Sequence, residues 1–160
     1  MFNILQTEFE VAIMWLHTVN ILPEAQKKTK FAIRGKYPHA YDPSKKYKEQ
    51  IIWQVKPYAP TKIMEGPVEL ELYFHMPIPK AASMIRRKQM IAGIIHHIKR
   101  PDIDNLAYVV TNALKGLVYK DDSQIVNLHV YKRYADAPKI LLKVIDINEE
   151  TRKQCYDYNR

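Results

Sequence analysis

The stretch PVELELYFHMP, Pro67 to Pro77, leaves its chain little conformational freedom. Val68, Leu70, Leu72 and Phe74 alternate with Glu69, Glu71, Tyr73 and His75, the period of two of a strand with one face in a core and the other toward water. The 160 residues are 47% hydrophobic and 11% aromatic, enough to bury such a face within one domain. There is no internal repeat or low-complexity tract.

The other elements follow from periodicity and punctuation. Phe9 to Trp15 is apolar apart from Glu10 and predicts a strand, with a helix as the open alternative; Pro23 ends what comes after it. Lys27 to Ser44 contains Gly35, Pro38 and Pro43 and reads as a long connection. Asp42-Pro43-Ser44 opens a helix over KKYKEQIIWQVK, with Ile51, Ile52 and Val55 as its apolar stripe and Pro57 closing it. Pro77 to Gly93 predicts a connection holding one or two helical turns, and Ile94 to Arg100 an extended approach to Pro101. A second helix fits Asp104 or Asn105 through Lys115, with Leu106, Val109, Val110, Ala113 and Leu114 on one face and Gly116 as its stop. SQIVNLHVYKRY and KILLKVIDI, separated by Ala137-Pro138, predict an antiparallel strand pair. The domain is therefore expected over residues 1–147, with a polar tail over 148–160 that docks loosely or is disordered.

Net charge is +8, and it is unevenly placed. Lys27 to Lys48 holds eight Lys or Arg against Asp42 alone, and Lys80 to Arg100 holds six against no acid. Phe31, Tyr37, Tyr41 and Tyr47 interleave the first segment, a pattern suited to phosphates and stacked bases, although a solvated basic surface gives the same composition. Val11 to Leu22 is too short to span a bilayer and follows Glu8 and Glu10 instead of basic residues, so membrane insertion and export are not expected. Cys155 is the one cysteine, which excludes an intrachain disulfide and a multi-cysteine zinc site; the reducing cytoplasm is the expected compartment.

Within this basic chain Asp102, Asp104, Asp121 and Asp122 gather in two pairs. Carboxylates brought together beside phosphate repel unless a cation intervenes, and hard oxygen ligands suit magnesium or manganese. Such an ion organises a water nucleophile and stabilises the leaving oxygen of a phosphodiester. The same spacing also fits Asp104 capping a helix and Asp121-Asp122 forming a turn. The intervening helix, about 16 Å long, separates the pairs unless the chain reverses after Gly116, as GLVYK allows. His96 and His97 are a rival metal site, but neighbours on an extended segment point to opposite sides. No glycine-rich phosphate loop is present, and neither Ser83 nor Ser123 lies in a nucleophile-elbow pattern.

KRPDIDNL, the apolar-striped helix, LKGLVYKDDSQIV and LHVYKRY, in that order, resemble the signature of the RusA-type Holliday junction resolvases, crossover junction endodeoxyribonucleases often carried by prophages. The likeness is strong over Lys99 to Tyr134 and weaker over HAYDPSKKYKEQI. It implies a single small α+β domain of two layers, a mixed β-sheet packed with helices, that forms a homodimer. It also implies magnesium-dependent symmetric cleavage of four-way DNA junctions in recombination and repair, with manganese as a substitute ion. The family's catalytic, metal-binding aspartates match Asp102, Asp104 and Asp122, with Asp121 adjacent in support and Asn105 holding the helix start. Arg100 then serves the scissile phosphate or is an ordinary surface residue. Lys27, Lys28, Lys30, Arg34, Lys36, Lys45 and Lys46 in the first basic segment, and Arg86, Arg87, Lys88, Lys99 and Arg100 in the second, would grip the DNA arms.

The chain departs from the family pattern in having Tyr108 where a lysine is usual and Asn112 where an aspartate is usual. Residues four apart share a helix face, so both members of one ion pair are absent together and neither charge is left unmatched. Either Tyr108, Arg100 or Lys120 supplies what the lysine gives and cleavage survives, or the protein binds branched DNA and cuts weakly or not at all. The retained aspartates favour cleavage, because a pure binder has no use for clustered negative charge beside phosphate. RNA binding without chemistry is the remaining rival. It predicts single strands bound as tightly as junctions and indifference to the aspartates.

Overall fold

The computed structural model describes residues 14–34 and 37–147. The alternating stretch forms β4 (Val68–Pro77), and its Val68, Leu70, Leu72 and Phe74 are fully buried. Each contributes about 1.5–3 kcal/mol relative to an exposed side chain. On one side β4 pairs antiparallel with β6 (Lys139–Asp146), which pairs antiparallel in turn with β1 (Met14–Val19). On its other side β4 pairs parallel with β5 (Ile125–Ala135). Parallel neighbours need a crossover. Here it contains α2 (Met84–Ile91) and α3 (Ile103–Leu114).

The buried face of α3, Leu106, Val109, Val110, Ala113 and Leu114, joins the apolar face of β4 and Tyr47, Ile51 and Val55 of α1 (Lys45–Val55) in one core. A smaller cluster of Ile78, Met90 and Tyr134 seats α2. The result is a single small α+β domain, a mixed sheet packed with three helices, as the resemblance implied. Among the described residues no helix is long and apolar enough to cross a membrane.

β5 and β6 do not form the expected antiparallel pair, because β4 lies between them. β4 has the strictest apolar face and takes the interior position, whereas β5 is exposed along most of its length and stays at an edge. Asp136 to Pro138 carry the chain past the end of β4; at about 3.3 Å each, three residues span two strand spacings of about 4.8 Å. Lys27 to Ser44 is also more than a connection. β2 (Lys30–Arg34) and β3 (Tyr37–Tyr41) form an antiparallel hairpin there, its aromatic residues favouring strand despite the glycine and prolines that suggested a loop.

Of the strand expected over Phe9 to Trp15, Met14 and Trp15 belong to β1; residues 9–13 lie outside the described residues, as does the tail from Asn148. Ile94 to Arg100 forms no strand, and the Arg100–Pro101 peptide is cis. α3 starts at Ile103, just ahead of the expected position.

Candidate metal and DNA site

Asp102 occupies the N-cap position of α3, and its carbonyl accepts the first helical bond from the Leu106 amide (3.1 Å). An aspartate there ordinarily caps the helix with its side chain. Asp102 makes no such bond, so its carboxylate is left for another partner. Asp104 stands exposed in the first turn, with only the Asn105 amide at 3.4 Å from its Oδ1. Oxygen donors with at most one long protein contact between them fit a hard divalent cation, and side-chain capping does not account for either residue.

Beside Asp102 opens a cleft of about 630 Å³ between residues 23–27 and Arg100, Pro101, Asp102 and Asn105. Gln26 holds its wall: its amide donates to the Asn105 carbonyl (3.0 Å), and its Nε2 donates to Asp42 Oδ1 (2.8 Å). Asp42 also accepts from the Ser44 amide (2.8 Å) and pairs with Lys48 (2.5 Å). The base of the β2–β3 hairpin is thereby tied to the start of α3.

The second pair lies past the other end of that helix. Gly116, at φ +74, turns the chain, and its amide donates to the Tyr119 carbonyl (2.8 Å). Tyr119 is fully buried and its hydroxyl donates to the Thr111 carbonyl (2.8 Å), with burial pushing the phenol well above its ordinary pKa. Asp121 then caps a single 3-10 turn, Asp122–Gln124: its Oδ1 accepts from the Ser123 amide (3.0 Å), and Gln124 Oε1 accepts from the Asp121 amide (2.7 Å). For Asp121 the turn reading holds.

Lys115 Nζ sits 2.5 Å from Asp121 Oδ2 and 3.2 Å from Asp122 Oδ1. Lys115, followed by the Ser123 amide, holds the Asp121 carboxyl well below the usual carboxylate range. Because the folded pKa is lowered, the stabilisation is present above the unfolded value and is lost as pH falls through the folded one.

Within one chain the two pairs stay apart. α3 has 12 residues, about 18 Å of axial rise. Among the described residues no three His, Cys, Asp or Glu side chains converge on a common ion, and this includes His96 and His97. The exposed stripe of α3 runs from Asp104 through Tyr108, 56% exposed, toward Lys115, so acid marks both ends of one surface.

Arg100 is exposed at the cleft, and Lys120 is exposed next to the second pair. Lys28, Lys30, Lys45, Lys46, Arg86, Lys88 and Lys99 are exposed, while Lys27 pairs with Glu24 (3.4 Å) and Arg87 with Asp136 (3.2 Å). Lys36 and the Arg34 side chain lie outside the description.

Gln26, Lys115 and Lys132 are prominent around these groups and were not singled out by motif. Lys132 carried a readable signal, since it is a charge on the β5 face shared with Leu128 and Val130. Its ammonium donates to the carbonyls of Lys99 (3.0 Å) and Pro101 (2.8 Å).

The sequence model of a family described as endodeoxyribonuclease RusA matches residues 20–145, which includes both carboxylate pairs, both basic segments, β2 to β5 and all of β6 but its last residue, while β1 lies ahead of it. The chain is also 33% identical over 130 residues to the uncharacterized protein YqaN of Bacillus subtilis (strain 168), an alignment covering 79% of this chain and 92% of that protein.

Proposed function

We infer the function from one premise: the chain belongs to the RusA family of endodeoxyribonucleases. On that premise the protein is a magnesium-dependent nuclease that resolves four-way DNA junctions by paired symmetric cuts. The observation that carries this reading is the uncapped Asp102 carboxylate at the N-terminus of α3, beside Arg100 at the mouth of the cleft. Asp102 and Asp104 would hold the divalent cation, with Asp122 completing the set. When bound, the cation supplies activation of water and neutralisation of the leaving oxygen. Arg100 would bind the scissile phosphate, while Lys45, Lys46, Arg86 and Lys88 hold the flanking arms.

Two symmetric cuts require two sites, and α3 keeps Asp122 from its own Asp102. Both facts are met by a homodimer in which the exposed stripes of two α3 helices run antiparallel about a two-fold axis. The Asp121–Asp122 end of each chain then faces the Asp102–Asp104 end of the other, and Lys115 must yield Asp122 when the cation binds. A second reading, a branched-DNA binder that cuts weakly, draws on this Lys115 ion pair and on the uncharged Tyr108.

Incubating a labelled four-way junction with magnesium, beside a linear duplex of the same sequence and an Asp102→Asn control, separates the two. Paired nicks confined to the junction and wild-type protein establish the nuclease; tight binding without nicks leaves the binder. Position 108 gives a further expectation. A lysine there lies one turn C-terminal to Asp104, the favourable order for an acid–base pair. Tyr108→Lys is expected to leave the cleavage rate unchanged or raise it, and a tenfold fall would count against Asp104 and position 108 bordering a common site.

A further inference from the structure

The segment that delivers Arg100 and Asp102 has almost nothing of its own to hold it. From His96 to Pro101 the chain is neither helix nor strand, and among the described residues none of these six makes a backbone–backbone hydrogen bond. Regular bonding resumes only where the Asp102 carbonyl accepts from Leu106. The hydrogen bonds that do reach the segment come from one side chain: Lys132 Nζ donates to the Lys99 carbonyl at 3.0 Å and the Pro101 carbonyl at 2.8 Å.

These carbonyls bracket Arg100 and precede Asp102. An ammonium has three N–H groups, so Lys132 spends two of them on this one short stretch. Its own backbone is fixed, since it lies in β5 in register with the buried Phe74 of β4. A second contact from the same strand, the Tyr134 ring at 4.7 Å from the His97 ring, steadies the segment further upstream.

We propose that Lys132 is a positioning residue, which fixes the Lys99–Asp102 segment on β5 so that the Arg100 and Asp102 side chains keep one relative placement. The proposal rests on the reading of Asp102 as a cation ligand. Misplacement of a reacting group by about 1 Å costs on the order of 100-fold in rate. Lys132 would therefore govern turnover and cation affinity while touching neither substrate nor cation. A residue with a purely structural role would change melting temperature and leave those quantities alone.

The test uses full-length wild type, Lys132→Met, Lys132→Arg and Asp102→Asn. Tryptic cleavage after Lys99 is followed in the absence of cation, Mn2+ affinity by calorimetry, and kcat and KM on a four-way junction. Lys132→Met keeps the aliphatic stem and removes the donors. It is expected to speed cleavage after Lys99 at least tenfold, weaken Mn2+ binding about tenfold and lower kcat with KM within about threefold of wild type. Lys132→Arg can still donate to both carbonyls and is expected to recover most of each loss.

Unchanged cleavage after Lys99 in Lys132→Met would overturn the proposal. So would faster cleavage with wild-type Mn2+ affinity and kcat, provided Asp102→Asn lowers both. If Asp102→Asn and wild type bind Mn2+ alike, the cation reading of Asp102 fails and takes the proposal with it; the cleavage result then reports only that Lys132 holds the loop.

Discussion

Co-expressed Asp102→Asn and Asp122→Asn chains are expected to nick a four-way junction that neither variant cuts alone. If Asp102 and Asp122 hold the cation in a homodimer as proposed, each substitution alone removes a ligand from every site, and the expected loss is at least the 10–100-fold that a supporting partner of a metal site typically costs. A mixed dimer behaves differently if each site draws Asp102 from one chain and Asp122 from the other. Both substitutions then fall in the same site, and the second site keeps all its aspartates. Half the dimers of a random mixture are mixed, so nicking returns to about a quarter of the wild-type rate, as single nicks instead of paired cuts.

The reciprocal mixture has the opposite sign. An Asp102→Asn/Asp122→Asn double variant combined with wild type spoils both sites of the mixed dimer, whereas a site contained within one chain would leave one intact. A mixture as inactive as its parents, together with a double variant that fails to poison wild type, returns the site to a single chain. The length of α3 would then demand a large rearrangement after Gly116.

The fold was legible where one face of an element decides its fate. The strict alternation in β4 and the apolar stripe of α3 located both elements to within a residue or two, because burial of that one face dominates any competing local preference. Strand pairing was less legible. The short Asp136–Pro138 link looks like a hairpin connection, and nothing local reports that β4, distant in sequence, inserts between β5 and β6. The β2–β3 hairpin was hidden because Gly35, Pro38 and Pro43 punctuate it at a spacing shared with irregular loops.

The carboxylates divide in the same way. D-x-D-N marked the start of a helix, but local sequence could not say whether Asp102 spends its oxygens on capping; the structure shows that it does not, whereas Asp121 does. Lys115 and Lys132 were missed for a common reason. Each acts on a segment reached only by folding, Lys115 across the turn at Gly116 and Lys132 across the sheet edge, with sequence separations of seven and about thirty residues. The longer separation matches no local period, and the separation of seven, although two helical turns, spans the end of α3 and the reversal at Gly116.

Junction affinity is expected to fall about 10,000-fold between 50 and 200 mM salt, if the basic segments meet phosphate as proposed. Lys28, Lys30, Lys45, Lys46, Arg86, Lys88, Lys99 and Arg100 are exposed and form no ion pair among the described residues. The logarithm of affinity falls by about 0.9 per phosphate neutralised for each decade of salt, so eight contacts give a slope near −7 and about four decades over a fourfold salt change. The two segments can be separated by the same measurement. Lys45→Ala/Lys46→Ala on the hairpin side and Arg86→Ala/Lys88→Ala on α2 should each make the slope shallower by about 2, and together by about 4. A double variant that weakens binding at one salt concentration without changing the slope has lost packing or shape, not phosphate contact. A flat slope in the wild type removes the electrostatic case for both segments, leaving the aspartates of α3 without a bound phosphate to act upon.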